Sequence, residues 1–266
     1  MKKKTTLDKK KPFYDGDVVF FLRDSYGDIA VVENKALRTL HFNSSARQSA
    51  ISLDDPNKLE LSYCRAMLAG LLFRPKPCSA LILGLGGGSL AKFLLEKMEL
   101  NKVEAVELRQ AVVQLAHDYF LLPKDLHLSI NLMDAEKFLI RTDCVKYDSI
   151  FIDLFTDNGM APVLHSELFF DRCRDKLSSP GFISVNLWGN TRTAELENIK
   201  IRMRKTFGKQ IYFLPVPRRG NIIAILLNFT FNGFDKMVQQ KYAHELESKY
   251  HIEFVEFLNI LDRTNR

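Results

Sequence analysis

A chain of 266 residues is long enough for one α/β domain with an appendage, and a hydrophobic content of 46% supplies a sizeable core. The net charge of +6 sits mainly in residues 1–11, which hold six lysines and one aspartate and leave 32 basic against 31 acidic residues elsewhere. The body is therefore close to neutral and offers no broad basic surface, so nucleic acid is not an expected partner.

The four cysteines are scattered without a C-x-x-C pair, which argues against a zinc site or a disulfide framework, and no metal is expected. Residues 1–12 read as a disordered basic tail. No apolar segment follows the lysines, so no secretory leader is expected. No uninterrupted apolar run reaches the roughly 18 residues that a membrane span needs. The expected location is the cytoplasm, with no membrane partner.

Residues 13–57 read as a small antiparallel β appendage. Segments 17–22, 29–33 and 37–42 are rich in β-branched and aromatic residues, and Ser25-Tyr26-Gly27-Asp28 and Asn34-Lys35 separate them as turns. Residues 58–73 carry apolar positions at helical spacing. Arg74-Pro75-Lys76-Pro77 stops that helix inside the larger unit, 58–266.

From residue 79 strands and helices alternate, which predicts a mainly parallel sheet. The expected strands are 79–84, 102–107, 127–131, 148–153, 181–187, 210–215 and 221–228. The expected helices are 89–99, 109–119, 134–140, 166–177, 192–206 and 235–248. Only Pro217-Arg218-Arg219-Gly220-Asn221 separates the last two strands, so they must pair as an antiparallel hairpin. Five parallel strands closed by such a hairpin form a Rossmann-like sheet of the class I methyltransferase type.

The first strand of this series ends in Gly84-Leu85-Gly86-Gly87-Gly88, and a helix-forming segment follows at once. Glycines allow a tight turn and a close approach of backbone to ligand. The second strand ends at Glu107, whose carboxylate can accept both hydroxyls of a ribose. This order predicts a nucleoside site formed by Gly84, Gly86, Gly88 and Glu107. No Lys-Ser/Thr pair follows the glycines, as a phosphate-binding loop would require, and Ser89 interrupts the dinucleotide fingerprint.

Further polar residues fall near the carboxyl ends of the strands, where α/β sheets bind ligands. Asp134 can cap the helix after the third strand, and it can also accept the exocyclic amine of an adenine beside a neighbouring N–H. Asp153 ends the apolar run Ile150-Phe151-Ile152. A carboxylate at that tip can hold an amine and accept its proton. Asn186 lies near the end of the fifth strand. The loop 153–162, with Asp157, reads as a lid over a substrate. Phe155 and Trp188 are expected mainly to pack, and His165 to stand exposed at a helix start.

In order along the chain, Ser45-Ala46-Arg47-Gln48-Ser49, Tyr63, the glycine turn, Val106-Glu107, Asp134-Ala135 and Tyr147-Asp148-x-Ile150-x-x-Asp153 resemble the spermidine synthase (polyamine aminopropyltransferase) family over roughly 15–228. The resemblance implies that Gln48 and Glu107 contact the nucleoside and that Asp134 and Ala135 meet adenine. It implies Asp153 as the catalytic aspartate, with Tyr63 and Asp157 on the substrate side. It also implies a decarboxylated S-adenosylmethionine donor, a small amine acceptor and a homodimer.

Three departures accompany the resemblance. Gly87 and Thr156 stand where the family carries aspartates, and Cys64-Arg65 replaces His-Glu after the tyrosine. An arginine at 65 offers a partner for the carboxylate of intact S-adenosylmethionine. Methyl transfer is therefore the nearest alternative, and a non-catalytic nucleoside-binding module is a second. The lost carboxylates predict slow turnover of putrescine with the decarboxylated donor.

Overall fold

The computed structural model describes residues 14–142, 145–156, 159–189, 193–231 and 236–265. The expected tail, 1–12, and Asp157 lie outside the described residues.

Strands β1 (Asp17–Asp24), β2 (Gly27–Asn34), β3 (Leu37–Phe42) and β4 (Arg47–Ser52) pair in that order as an antiparallel sheet. The sequence reading found the first three. The fourth is a strand because Ser49, Ala50 and Ile51 are buried there and it hydrogen-bonds along β3. The expected helix 58–73 is two pieces, α1 (Ser62–Met67) and a 3-10 turn, Leu68–Leu72. All five residues of that turn are buried, so packing on every side shapes it rather than one amphipathic face.

The larger unit continues with β5 (Ser79–Leu83), α2 (Ser89–Glu96), β6 (Lys102–Glu107), α3 (Gln110–Asp118), β7 (Leu128–Leu132), α4 (Ala135–Leu139) and β8 (Tyr147–Ile152). A short hairpin of β9 (Phe155–Thr156) and β10 (Gly159–Met160) follows, then α5 (Phe169–Asp175) and β11 (Leu177–Trp188). The chain closes with α6 (Thr193–Phe207), β12 (Ile211–Pro215), β13 (Asn221–Leu227), α7 (Lys236–Tyr250) and α8 (Phe254–Thr264).

Seven strands form one sheet in the order β12-β13-β11-β8-β5-β6-β7. The five strands from β11 to β7 are parallel, and β13 and β12 close the sheet as the expected antiparallel hairpin. Central strands must be apolar on both faces because helices cover both. In β5, Ala80 and Ile82 join one core, with Phe93, Leu94, Phe254 and Phe257. Leu81 and Leu83 join the other, with Phe138, Phe169, Phe170 and Met203.

Two helical boundaries differ from expectation. The expected helix 166–177 is shorter, α5 over Phe169–Asp175, and a 3-10 turn, Pro162–His165, precedes it. Helix α8 was not anticipated, although Phe254, Phe257, Leu258 and Leu261 follow helical spacing and are buried. After it, the Asn265 side chain donates to the Phe213 carbonyl at 3.1 Å and accepts from the Phe213 N–H at 2.8 Å. This covers part of the edge of β12.

The small sheet docks on α3. Ile29, Val31, Leu40 and Ile51 pack with Val112, Leu115 and Phe120. Ser49 Oγ lies 3.3 Å from Ser89 Oγ at the start of α2. The end of β4 therefore overhangs the glycine turn.

Candidate active site

The turn after β5 is held open by its glycines. Gly84 has φ +94°, and a Cβ there would meet the Asp153 carbonyl oxygen at 2.2 Å. No other residue lets the tips of β5 and β8 come this close. The Asp153 N–H donates to the Leu83 carbonyl at 2.9 Å, so the two tips are also bonded.

Glu107 is 9% exposed and ties two turns together. Its carboxylate accepts from the Leu85 N–H at 3.1 Å and from the Arg109 N–H at 2.9 Å. Burial pushes its pKa up, and the surrounding backbone N–H groups oppose that shift. Asp134 caps α4, accepting at Oδ1 from Glu136 N at 2.9 Å and from Lys137 N at 3.1 Å. Both bonds use the same oxygen.

These groups surround a cavity of about 490 Å³, within the usual range for small-molecule sites. Gln48, Gly84, Gly86, Glu107, Asp134, Ala135 and Asp153 all line it. Most of the expected nucleoside residues are thus brought together. Gly88 is not among the lining residues. It is the N-cap of α2 at φ +76°, and its contribution is to the turn itself. Arg109, which the sequence reading passed over, also lines the cavity and donates to Asp24 at 2.9 and 3.1 Å. An arginine just past the end of β6 is its only local signal.

A second cavity, about 670 Å³, adjoins the first. Gln48, Asp153 and Phe155 line both. Tyr63 lines the second, and its hydroxyl donates to the Gln48 carbonyl at 3.0 Å. Trp188, 39% exposed, forms part of its wall, so it and Phe155 face ligand space as well as packing. Thr156 is also at this wall.

Asp153 stands where the cavities meet. It opens to them on one side and is walled by protein elsewhere. Burial raises its pKa to about 6, against hydrogen bonds from Asn186 and Tyr63 that favour the charged form. Asn186 Nδ2 donates to Asp153 Oδ1 at 2.8 Å, and Asn221 Nδ2 donates to Asn186 Oδ1 at 2.9 Å. Asn186 is 2% exposed. This buried relay fixes the carboxylate's orientation. Burial beside Asp153 also pushes the Tyr63 hydroxyl well above its usual range, which keeps it a neutral donor.

Two expectations need correction. Arg65 faces away from both cavities. Its guanidinium grips Glu253 at 2.9 and 3.0 Å and donates to the Leu59 and Glu60 carbonyls, so it is not available to a donor carboxylate. His165 is not freely exposed; its Nε2 lies 3.2 Å from Glu195 Oε1 and it lines neither cavity. Gly87, where the family carries an aspartate, is closely packed. A Cβ there would meet Ser49 Oγ at 2.6 Å and Phe120 at 2.9 Å.

Residues 63–232 match the spermine/spermidine synthase domain. The chain is 31% identical over 244 residues to a polyamine aminopropyltransferase of Chromobacterium violaceum, covering 90% of this chain and 91% of that protein. Its fold is similar to a probable spermidine synthase of Corynebacterium glutamicum, with TM-score 0.71 and 19% identity over 85% of this chain and 87% of that one. It is also similar to human methyltransferase-like protein 13 in complex with SAH, with TM-score 0.61 and 20% identity over 77% and 93% of the two chains.

Proposed function

The chain belongs to the spermine/spermidine synthase family, and from that premise we propose that it transfers an aminopropyl group from decarboxylated S-adenosylmethionine to an amine. The observation that carries this reading is Asp153, shared by both cavities and held by Asn186 at 2.8 Å.

The donor brings an electrophilic carbon attached to a positively charged sulfur. Glu107 suits its ribose and Asp134 with the Ala135 N–H suits its adenine. The glycine turn brings backbone close to it without side chains. An amine in the second cavity attacks the carbon next to sulfur. The C–N bond forms as the C–S bond breaks, and the electron pair leaves on sulfur, giving methylthioadenosine. The nitrogen's proton passes to Asp153. Alignment of the two reactants supplies most of the acceleration, because the leaving group needs no further activation. Proton acceptance by a fixed carboxylate adds about 10²–10⁴-fold.

The same reading extends to a cytoplasmic homodimer built as a substrate-covering small sheet, 13–57, on a catalytic unit, 58–266. Exposed Val18, Val19, Phe21 and Leu22 on β1 support association. Among the described residues no helix is long and apolar enough to cross a membrane.

Methyl transfer from intact S-adenosylmethionine is the second reading, favoured by the neutral Gly87 and Thr156. Incubating the purified chain with each donor and a panel of amines separates the two. Methylthioadenosine is the expected product; S-adenosylhomocysteine alone would overturn the proposal in favour of the second reading.

A further inference from the structure

Among the described residues, the charged side chains lining the acceptor-side cavity are mostly basic. Asp153 is the one carboxylate lining it among the described residues. Arg47, Arg218 and Arg219 line the same space. Arg47 has a partner, Asp15, at 3.5 Å. Neither Arg218 nor Arg219 makes an ion pair among the described residues, and both are exposed.

Their turn is firmly seated. The Val216 N–H donates to the Asn221 carbonyl at 2.9 Å, and the Arg219 N–H to the Val216 carbonyl at 3.1 Å. The Gly189 N–H donates to the Gly220 carbonyl at 2.6 Å, which fastens the turn to the end of β11. Asn221, the next residue, belongs to the relay that orients Asp153. One pinned turn therefore carries both the relay's anchor and two arginines facing the acceptor space.

We propose that the amine acceptor carries a carboxylate, which Arg218 and Arg219 bind while its amine reaches Asp153. This rests on the transfer reading and narrows its substrate class. Guanidinium groups match a carboxylate with paired, charge-assisted hydrogen bonds. The distal ammonium of a diamine would instead meet two like charges. Arg218 and Arg219 line the acceptor-side cavity and not the nucleoside cavity, which favours a carboxylate on the acceptor over one on the donor. The carboxylate takes no part in bond making; the C–N and C–S changes are those of the transfer itself.

Ornithine and putrescine differ by one carboxylate and are suitable probes. The full chain, saturated with methylthioadenosine, is titrated calorimetrically with each. The wild type should bind ornithine about tenfold or more tightly than putrescine, the effect of one charged hydrogen bond. In the Arg218→Gln/Arg219→Gln variant the ratio should collapse toward one. Both side chains are exposed, and an unchanged melting temperature checks the variant's fold. Equal or tighter binding of putrescine by the wild type overturns the inference, as does a ratio that survives the substitutions. Loss of S-adenosylmethionine affinity in the variant without loss of ornithine preference also overturns it, assigning the arginines to the donor. Because binding is read without turnover, failure of aminopropyl transfer appears separately, as no methylthioadenosine from any amine.

Discussion

Burial holds the Asp153 carboxyl near pH 6, about two pH units above its ordinary value. Turnover should therefore rise with pH through about 6 and then level off, as the proton-accepting form becomes complete. The same shift has a cost in stability. A raised folded-state pKa favours folding at low pH, where the carboxyl is protonated, and that contribution is lost as pH rises through about 6. Moving from 3.8 to about 6 corresponds to as much as about 3 kcal/mol. Asp153→Asn should consequently melt higher than wild type at pH 8 while losing roughly 10²–10⁴-fold in turnover. Thermal melts and steady-state rates on one preparation check both; an unaltered rate would remove Asp153 from the chemistry. Glu107 differs, because its carboxylate also satisfies the Leu85 and Arg109 N–H groups. Glu107→Gln should weaken methylthioadenosine binding about tenfold, and Glu107→Ala should lower the melting temperature as well, since it orphans two backbone donors. Calorimetry that finds wild-type affinity in both would take Glu107 out of the nucleoside site.

At the scale of elements, the glycine turn and its surroundings behave as one unit. Ser49 on β4 and Phe120 after α3 occupy the space where a side chain at 87 would go. Gly87→Asp should therefore destabilise the protein by about 1–3 kcal/mol, as overpacking does, without improving putrescine turnover. A gain in that turnover at unchanged melting temperature would show that the turn can make room. The strand and helix series was largely legible because period-2 and period-3.6 patterns are local. β4 was missed because Ser49 and Ala50 are buried by docking against other elements rather than by an apolar pattern of their own. α8 carries a readable apolar stripe, with Phe254, Phe257, Leu258 and Leu261 at helical spacing.

For the whole molecule, residues 1–11 supply most of the net charge while the body is close to neutral. Deleting them should leave melting temperature and nucleoside affinity unchanged, and a marked fall in either would mean that the segment docks on the body. Association should depend instead on β1. Phe21, 50% exposed, loses little as a monomer surface residue when replaced by aspartate, but an apolar contact between copies would not tolerate the charge. Light scattering should find a dimer for wild type and a monomer for Phe21→Asp; a wild-type monomer would overturn the dimer.

By itself the sequence determined the alternation of strands and helices in the parallel sheet, the glycine turn, and carboxylates at Glu107, Asp134 and Asp153, each at or just past the carboxyl end of a strand. Those features depend on residues that are neighbours along the chain. Tertiary structure decided which side chains were left free for ligand. Arg65 is drawn out of the site by Glu253, 188 positions away. Asn186 and Asn221 become a relay only when β11 and β13 pair. Arg218 and Arg219 read as a surface turn until that hairpin folds beside Asp153. A charged side chain goes to whichever partner the fold brings within about 3 Å, and that partner is set by long-range packing rather than by local spacing.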